Sequence, residues 1–253
     1  MPEMSFLEHL EDLRWHIIKA LAGLLIATII CGVYSEFIVQ DIIMRPLKAA
    51  GLKAQVLAPY GIVLLYMQTV LICGLIVSMP NTLYWLWKFV APGLLLKERR
   101  YVARIVFLTS LCFFAGVGFS YFILLPTSLT FFSEFGTRTI DLNISIDHYV
   151  SFILTLVLGS GLVFELPMVS YFLTKIGFLT PAFMRHYRRH SIVVILIISA
   201  LVTPTPDPMT QLMLAAPMLL LYEASIFVSK LAMKKSAEES EMSDSIPEKE
   251  EVQ

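Results

Sequence analysis

The side chains able to do chemistry in this sequence are few and far apart. Glu98 stands in "FVAPGLLLKERRYVARI", Phe89 to Ile105, as the one acid among Lys97, Arg99, Arg100 and Arg104. A solvated carboxylate there relieves repulsion between cations, worth about 0.2–1 kcal/mol at a surface. Near the start, "SFLEHLEDLRWHI", Ser5 to Ile17, carries Glu8, Glu11 and Asp12. Ser5 with Glu8 fits a capping box and Glu11 can pair with Arg14 along a helix, but Asp12 has no such local task. Glu165 is the one acid deep in an apolar run, roughly 24 Å from its outer end at 1.5 Å per residue. A charge near the bilayer centre costs about 2.5–3.5 kcal/mol on insertion scales, so this carboxyl needs a partner, a proton or a wet cavity. A protonated acid bonded to a neighbouring helix near Pro167 is the purely structural alternative.

Asp207 and Gln211 are four residues apart and share one helix face, and Asp207 is also placed to cap that helix. His186 and His190 have the spacing of paired metal ligands. Arg185, Arg188 and Arg189 surround them without an acid, which argues against a bound cation. No nucleotide-binding loop, Ser/His/Asp set or metal-ligand cluster appears, so neither a cofactor nor enzymatic chemistry is expected.

The elements that must position these groups are apolar helices. Hydrophobic residues make up 57% of the chain and charged residues 15%, and the mean hydropathy is +0.74. Such a composition belongs in lipid. A crossing takes about 20 apolar residues, and runs of that kind lie near 16–36, 62–87, 104–126, 149–173, 190–204 and 208–229. None alternates with period two, which excludes a porin-like barrel. The expected fold is therefore all-α, a polytopic integral membrane protein with six transmembrane helices. The prolines of "TPTPDP", Thr203 to Pro208, force a turn between the last two runs and leave both short, so they thin the bilayer or shelter behind longer neighbours.

An N-terminus in the cytoplasm puts fifteen Lys and Arg on the inner side and only Arg45, Lys48, Lys53 and Arg138 outside. That bias predicts both termini inside. Tyr84, Trp85, Trp87 and Tyr101 occupy the positions of an inner aromatic belt. The N-terminal stretch reads as an amphipathic helix on the inner membrane face feeding the first span, which shows no cleavage pattern. Residues 1–232 form the membrane domain. Residues 233–253, rich in acids, Ser and Pro, read as a disordered cytoplasmic tail. Cys31, Cys73 and Cys112 fall within spans as small apolar residues.

Four motifs, "FLEHLEDLR", "FVAPGLLLKERR", "FELP" at Phe164 to Pro167, and "TPTPDPMTQ" followed by "APMLLLYE", resemble in order and spacing the TatC family, the core receptor of the twin-arginine protein translocase. The likeness runs from Ser5 to Lys230. It implies a concave, cupped six-helix protein in the cytoplasmic membrane of a prokaryote, working on the proton motive force. It implies that Asp12 and Glu98 bind the paired arginines of a signal peptide, since guanidinium forks bond carboxylates in a bidentate way that an ammonium cannot copy. Asp12 is one methylene shorter than the glutamate usual in the family, so Glu11 can share its role. Flanking cations, Arg100 among them, exclude casual basic peptides. Phe89 packs beside the peptide or, on its chemistry alone, anchors the belt.

By the same resemblance Glu165 is a polar point on the concave face used during transport. Asp207 and Gln211 lie near the contact surface for small single-span Tat subunits, although "TPTPDP" is longer than the family's usual turn. Pro46 occupies another family position, with a plain turn as its alternative. The implied partners are twin-arginine signal peptides, the small subunits, further copies of the chain and membrane lipid, with no nucleic acid. The residues alone leave one other reading, a small-solute transporter or channel with Glu165 as its coupling acid. The two three-helix halves show no repeat to support it.

Overall fold

The computed structural model describes residues 6–90, 102–135, 143–203 and 207–244. Helix α1, Phe6–Val33, passes through α2, Ser35–Phe37, a π-helical turn, Ile38–Ile43, and α3, Met44–Ala49. After strand β1, Lys53–Gln55, comes α4, Gly61–Val90. Helix α5, Val102–Phe119, continues through a second π-helical turn, Ser120–Leu124, into α6, Leu125–Phe135. Strand β2, Asn143–Ser145, precedes α7, Ile146–Val163, and α8, Leu166–Lys175. The remainder is α9, Pro181–His186, α10, Arg188–Val202, and α11, Pro208–Asp244. Among the described residues the protein is all-α apart from the β1–β2 pair, which is parallel with Lys53 opposite Asn143.

Among the described residues, five segments are long and apolar enough to cross a membrane: Glu11–Val33, Gly61–Phe89, Ile105–Glu134, Ile146–Lys175 and Pro208–Met233. Among these the α7–α8 segment is central, with 61% of its most apolar stretch buried against 17–33% for the others. Its side chains Val150 and Leu156 meet Leu124, Leu125, Leu129, Leu214 and Met218 in one core. The fifth apolar run of the sequence is α10, of 15 residues, which reaches only about 22 Å.

Four expectations need correction. The N-terminal stretch is not a separate surface helix, because α1 is unbroken from Phe6 and contains no proline. The last helix is not short. Its apolar part covers 26 residues to Met233, and Ala, Glu and Met, all good helix formers, carry α11 on through Asp244 into what reads as an unstructured tail. Trp87 is no belt residue, being buried edge-on against Phe172 at 5.4 Å. The fourth run is interrupted at Phe164 and Glu165, where Pro167 opens α8.

Helix contacts use small and hydroxylated residues, as expected where lipid tails supply no drive for apolar faces to separate from solvent. A Cβ on Gly116 would lie 2.6 Å from the Ser160 carbonyl oxygen, so α5 approaches α7 only because that side chain is absent. The Ser128 hydroxyl donates to the Leu124 carbonyl at 2.8 Å, which leaves Thr210 of α11 to donate to Ser128 at 2.8 Å. Thr174 donates in the same way to Ser170, so Ser229 of α11 donates to Thr174 at 2.6 Å.

The first π-helical turn carries a tertiary clamp. A wider turn exposes backbone carbonyls that an α-helix would bond itself. Tyr121 donates its hydroxyl to the Ile42 carbonyl at 2.8 Å, and Tyr149, 2% exposed, donates to the Ile43 carbonyl at 2.7 Å. Tyr149→Phe is expected to lower the free energy of unfolding by about 1–3 kcal/mol, because it strands a carbonyl where no water replaces the phenol. Thermal unfolding in detergent measures this, and Tyr121→Phe, at a more open site, should cost less.

Candidate functional site

The most extensive helix pair is α1 with α4. Small residues let the two backbones close up, since a Cβ on Gly74 would overlap Thr28. Toward the start of α1 the contact turns polar and aromatic. Asn81 donates its amide to the Ala20 carbonyl at 3.3 Å and accepts from the Trp85 indole N–H at 3.1 Å. The Lys19 and Lys88 ammonium groups lie 4.8 Å and 5.0 Å from the Trp85 ring centre, cation–π contacts that hold two long side chains against the indole.

Asp12 stands at the end of this seam. Its side chain is 36% exposed, so the carboxylate is reachable. His16, one turn on, places Nδ1 2.7 Å from the Asp12 carbonyl oxygen and 3.3 Å from Oδ1. Both neighbours are acceptors, so Nδ1 carries the hydrogen. The imidazole, 9% exposed, packs edge-on to Trp85 at 5.6 Å and tilted to Phe89 at 6.1 Å. The structure thus brings Asp12 and Phe89 to one corner with His16 between them. Glu11 is exposed on the same turn. Glu98 and Arg100 lie outside the described residues, in the segment 91–101 that follows α4.

The other sequence-predicted groups sit elsewhere. Glu165 occupies the junction of α7 and α8, 8% exposed, and its Oε1 has no hydrogen-bond partner among the described residues. Its backbone carbonyl accepts from Met168 at 3.0 Å and Val169 at 2.9 Å, starting α8. Asp207 is buried at the start of α11, where Oδ2 accepts from the Thr210 backbone N–H at 2.7 Å, the geometry of a helix cap. Gln211 donates its amide to the Leu196 carbonyl of α10 at 3.0 Å, tying the two helices across their turn. Pro46, in α3, is half-buried at the far end of the bundle, lining an open groove with Arg45, Tyr121, Phe122 and Pro126. His186 and His190 each set their ring against Tyr187, at 5.1 Å and 5.5 Å.

Residues 8–217 match the family described as Sec-independent protein translocase protein (TatC). The chain belongs to the TatC family. Its relatives include the Sec-independent protein translocase protein TatC of Koribacter versatilis, 40% identical over 92% of this chain and 88% of that one. The TatC of Carboxydothermus hydrogenoformans is 34% identical over 92% and 95% of the two chains. A solved structure described as the twin-arginine translocase receptor TatC superposes with a TM-score of 0.78, at 34% identity, covering 89% of this chain and all of that one. The TatC family is one of protein-translocation components, not of enzymes. The sequence names Asp12 and Phe89 as site candidates but does not single out His16. The signal for it is the four-residue spacing from Asp12, which puts an imidazole directly over the carboxylate on one helix face.

Proposed function

We propose that this chain is the signal-peptide receptor and organising core of a twin-arginine translocase, which exports folded proteins on the proton motive force. Asp12 and Glu98 take the paired arginines, Phe89 packs beside them, and Glu11 and Arg100 tune the charge around the site. The observation that carries this reading is the α1–α4 corner. A reachable carboxylate stands there beside an aromatic ring, at the end of the helix that leads directly into the Glu98 segment. The six-crossing arrangement with both termini in the prokaryotic cytoplasm puts that corner where a new export signal first arrives. In it α10, at about 22 Å, crosses a locally thinned bilayer. Asp207, Gln211 and Pro46 belong to surfaces for the small single-span Tat subunits and further copies of the chain, and Glu165 acts later, during transport.

The test is co-purification of the full chain with a signal peptide carrying Arg-Arg or Lys-Lys. Retention of the arginine form about tenfold or more above the lysine form is expected, the difference made by the bidentate clasp. Equal retention would overturn the assignment.

A further inference from the structure

We infer that His16 is a positioning residue for the receptor site, orienting the Asp12 carboxylate so that one oxygen is held and the other left free for an incoming guanidinium. The inference rests on the receptor reading above and adds to it a residue that reading does not use.

Aspartate has one rotatable bond fewer than glutamate, so its carboxylate stays near its own backbone, within reach of a ring one turn away. The Nδ1–H of His16 donates to the Asp12 carbonyl at 2.7 Å, which fixes the polar edge of the ring 3.3 Å from Oδ1. Held there, the positive N–H edge attracts Oδ1 and biases the carboxylate toward one rotamer. Oδ2 is the oxygen this contact leaves open on a side chain still 36% exposed. The imidazole itself cannot turn away, because it is nine-tenths buried and wedged against Trp85 and Phe89. Its far nitrogen, Nε2, is buried without a hydrogen-bond partner among the described residues. A ring there only to fill space would be better made of carbon, which leaves no orphaned polar atom. The retained nitrogen pair is accounted for by what Nδ1 does to Asp12. Among the described residues the other charged groups shown against this seam are the Lys19 and Lys88 ammonium groups, both turned over Trp85, so Nδ1 is the polar hydrogen set nearest the Asp12 carboxylate.

The experiment compares the full-length wild type with His16→Phe, His16→Asn and Asp12→Asn by equilibrium binding of Arg-Arg and Lys-Lys signal peptides in nanodiscs. Phenylalanine keeps the ring packed on Trp85 and Phe89 but removes the donor. Asparagine loses packing but offers an N–H near the Nδ1 position. His16→Phe should weaken the Arg-Arg peptide about fivefold and narrow its margin over Lys-Lys, whereas His16→Asn should stay within about twofold of wild type. Unchanged binding by His16→Phe alongside weakened binding by Asp12→Asn would overturn this inference alone. So would equal losses in the phenylalanine and asparagine variants, which would make packing the whole of the role. Unchanged binding by Asp12→Asn would remove the receptor reading of Asp12 and this inference with it.

Discussion

Glu98→Ala is expected to abolish site-specific crosslinking between this chain and a twin-arginine signal peptide while membrane insertion and abundance stay at wild-type levels. A hydrogen-bonded carboxylate facing a guanidinium contributes about 1.5–3 kcal/mol, and deleting one partner of such a pair costs about 2–5 kcal/mol, at least a 30-fold loss of affinity. The local sequence deepens the effect. Without Glu98 the charged residues from Lys97 to Arg104 are all cations, which would repel a paired-arginine signal rather than attract it. Glu98→Gln, which keeps the shape and loses the charge, should fall with alanine. Normal insertion is expected because every apolar segment is untouched. Crosslinking at wild-type strength in either variant would remove Glu98 from the recognition surface.

The second large effect is expected at Glu165, where stability and function should part. Its carboxyl is buried at the break between α7 and α8, with Oε1 unbonded among the described residues. An unsatisfied buried polar group costs about 1–3 kcal/mol. Glu165→Leu should therefore raise the unfolding temperature in detergent and at the same time stop export. Glu165→Gln, nearly the same size but without an ionisable group, should lower export about tenfold and leave signal-peptide crosslinking intact, since the α1–α4 corner is a separate site. Export of wild-type magnitude in the leucine variant would make Glu165 a structural residue. Lost peptide binding in the glutamine variant would transfer it to the receptor site.

Much of this architecture is legible in the sequence because lipid imposes a simple rule on length and polarity. Four apolar runs map onto α1, α4, α5 with α6, and α7 with α8, and the proline-rich turn sets the gap between α10 and α11. Less legible are features decided by tertiary contacts. The π-helical turn at Ile38–Ile43 depends on tyrosines some 80 and 106 residues away, and nothing in its own residues demands it. The length of α11 escapes because an acidic tail reads as solvated whether or not it is helical. At the candidate site, Asp12 stands out by lacking a local task and Phe89 by its motif. His16 hides because a histidine beside an aromatic helix face is ordinarily just packed there, and its partner is visible only once the ring is oriented.

The short parallel pairing of Lys53–Gln55 with Asn143–Ser145 has a consequence for biogenesis. Its two halves are 90 residues apart in the chain, and a pairing of such long separation forms only after both halves are present. During synthesis the first three spans are therefore held at that end by Tyr121 on the Ile42 carbonyl alone. The pairing closes only when the segment leading into α7 has been made, the moment at which Tyr149 also becomes available to the turn after α1. A chain stalled before that point carries a bundle secured by one tyrosine in place of two tyrosines and a strand pair, the state in which quality-control proteases would find it.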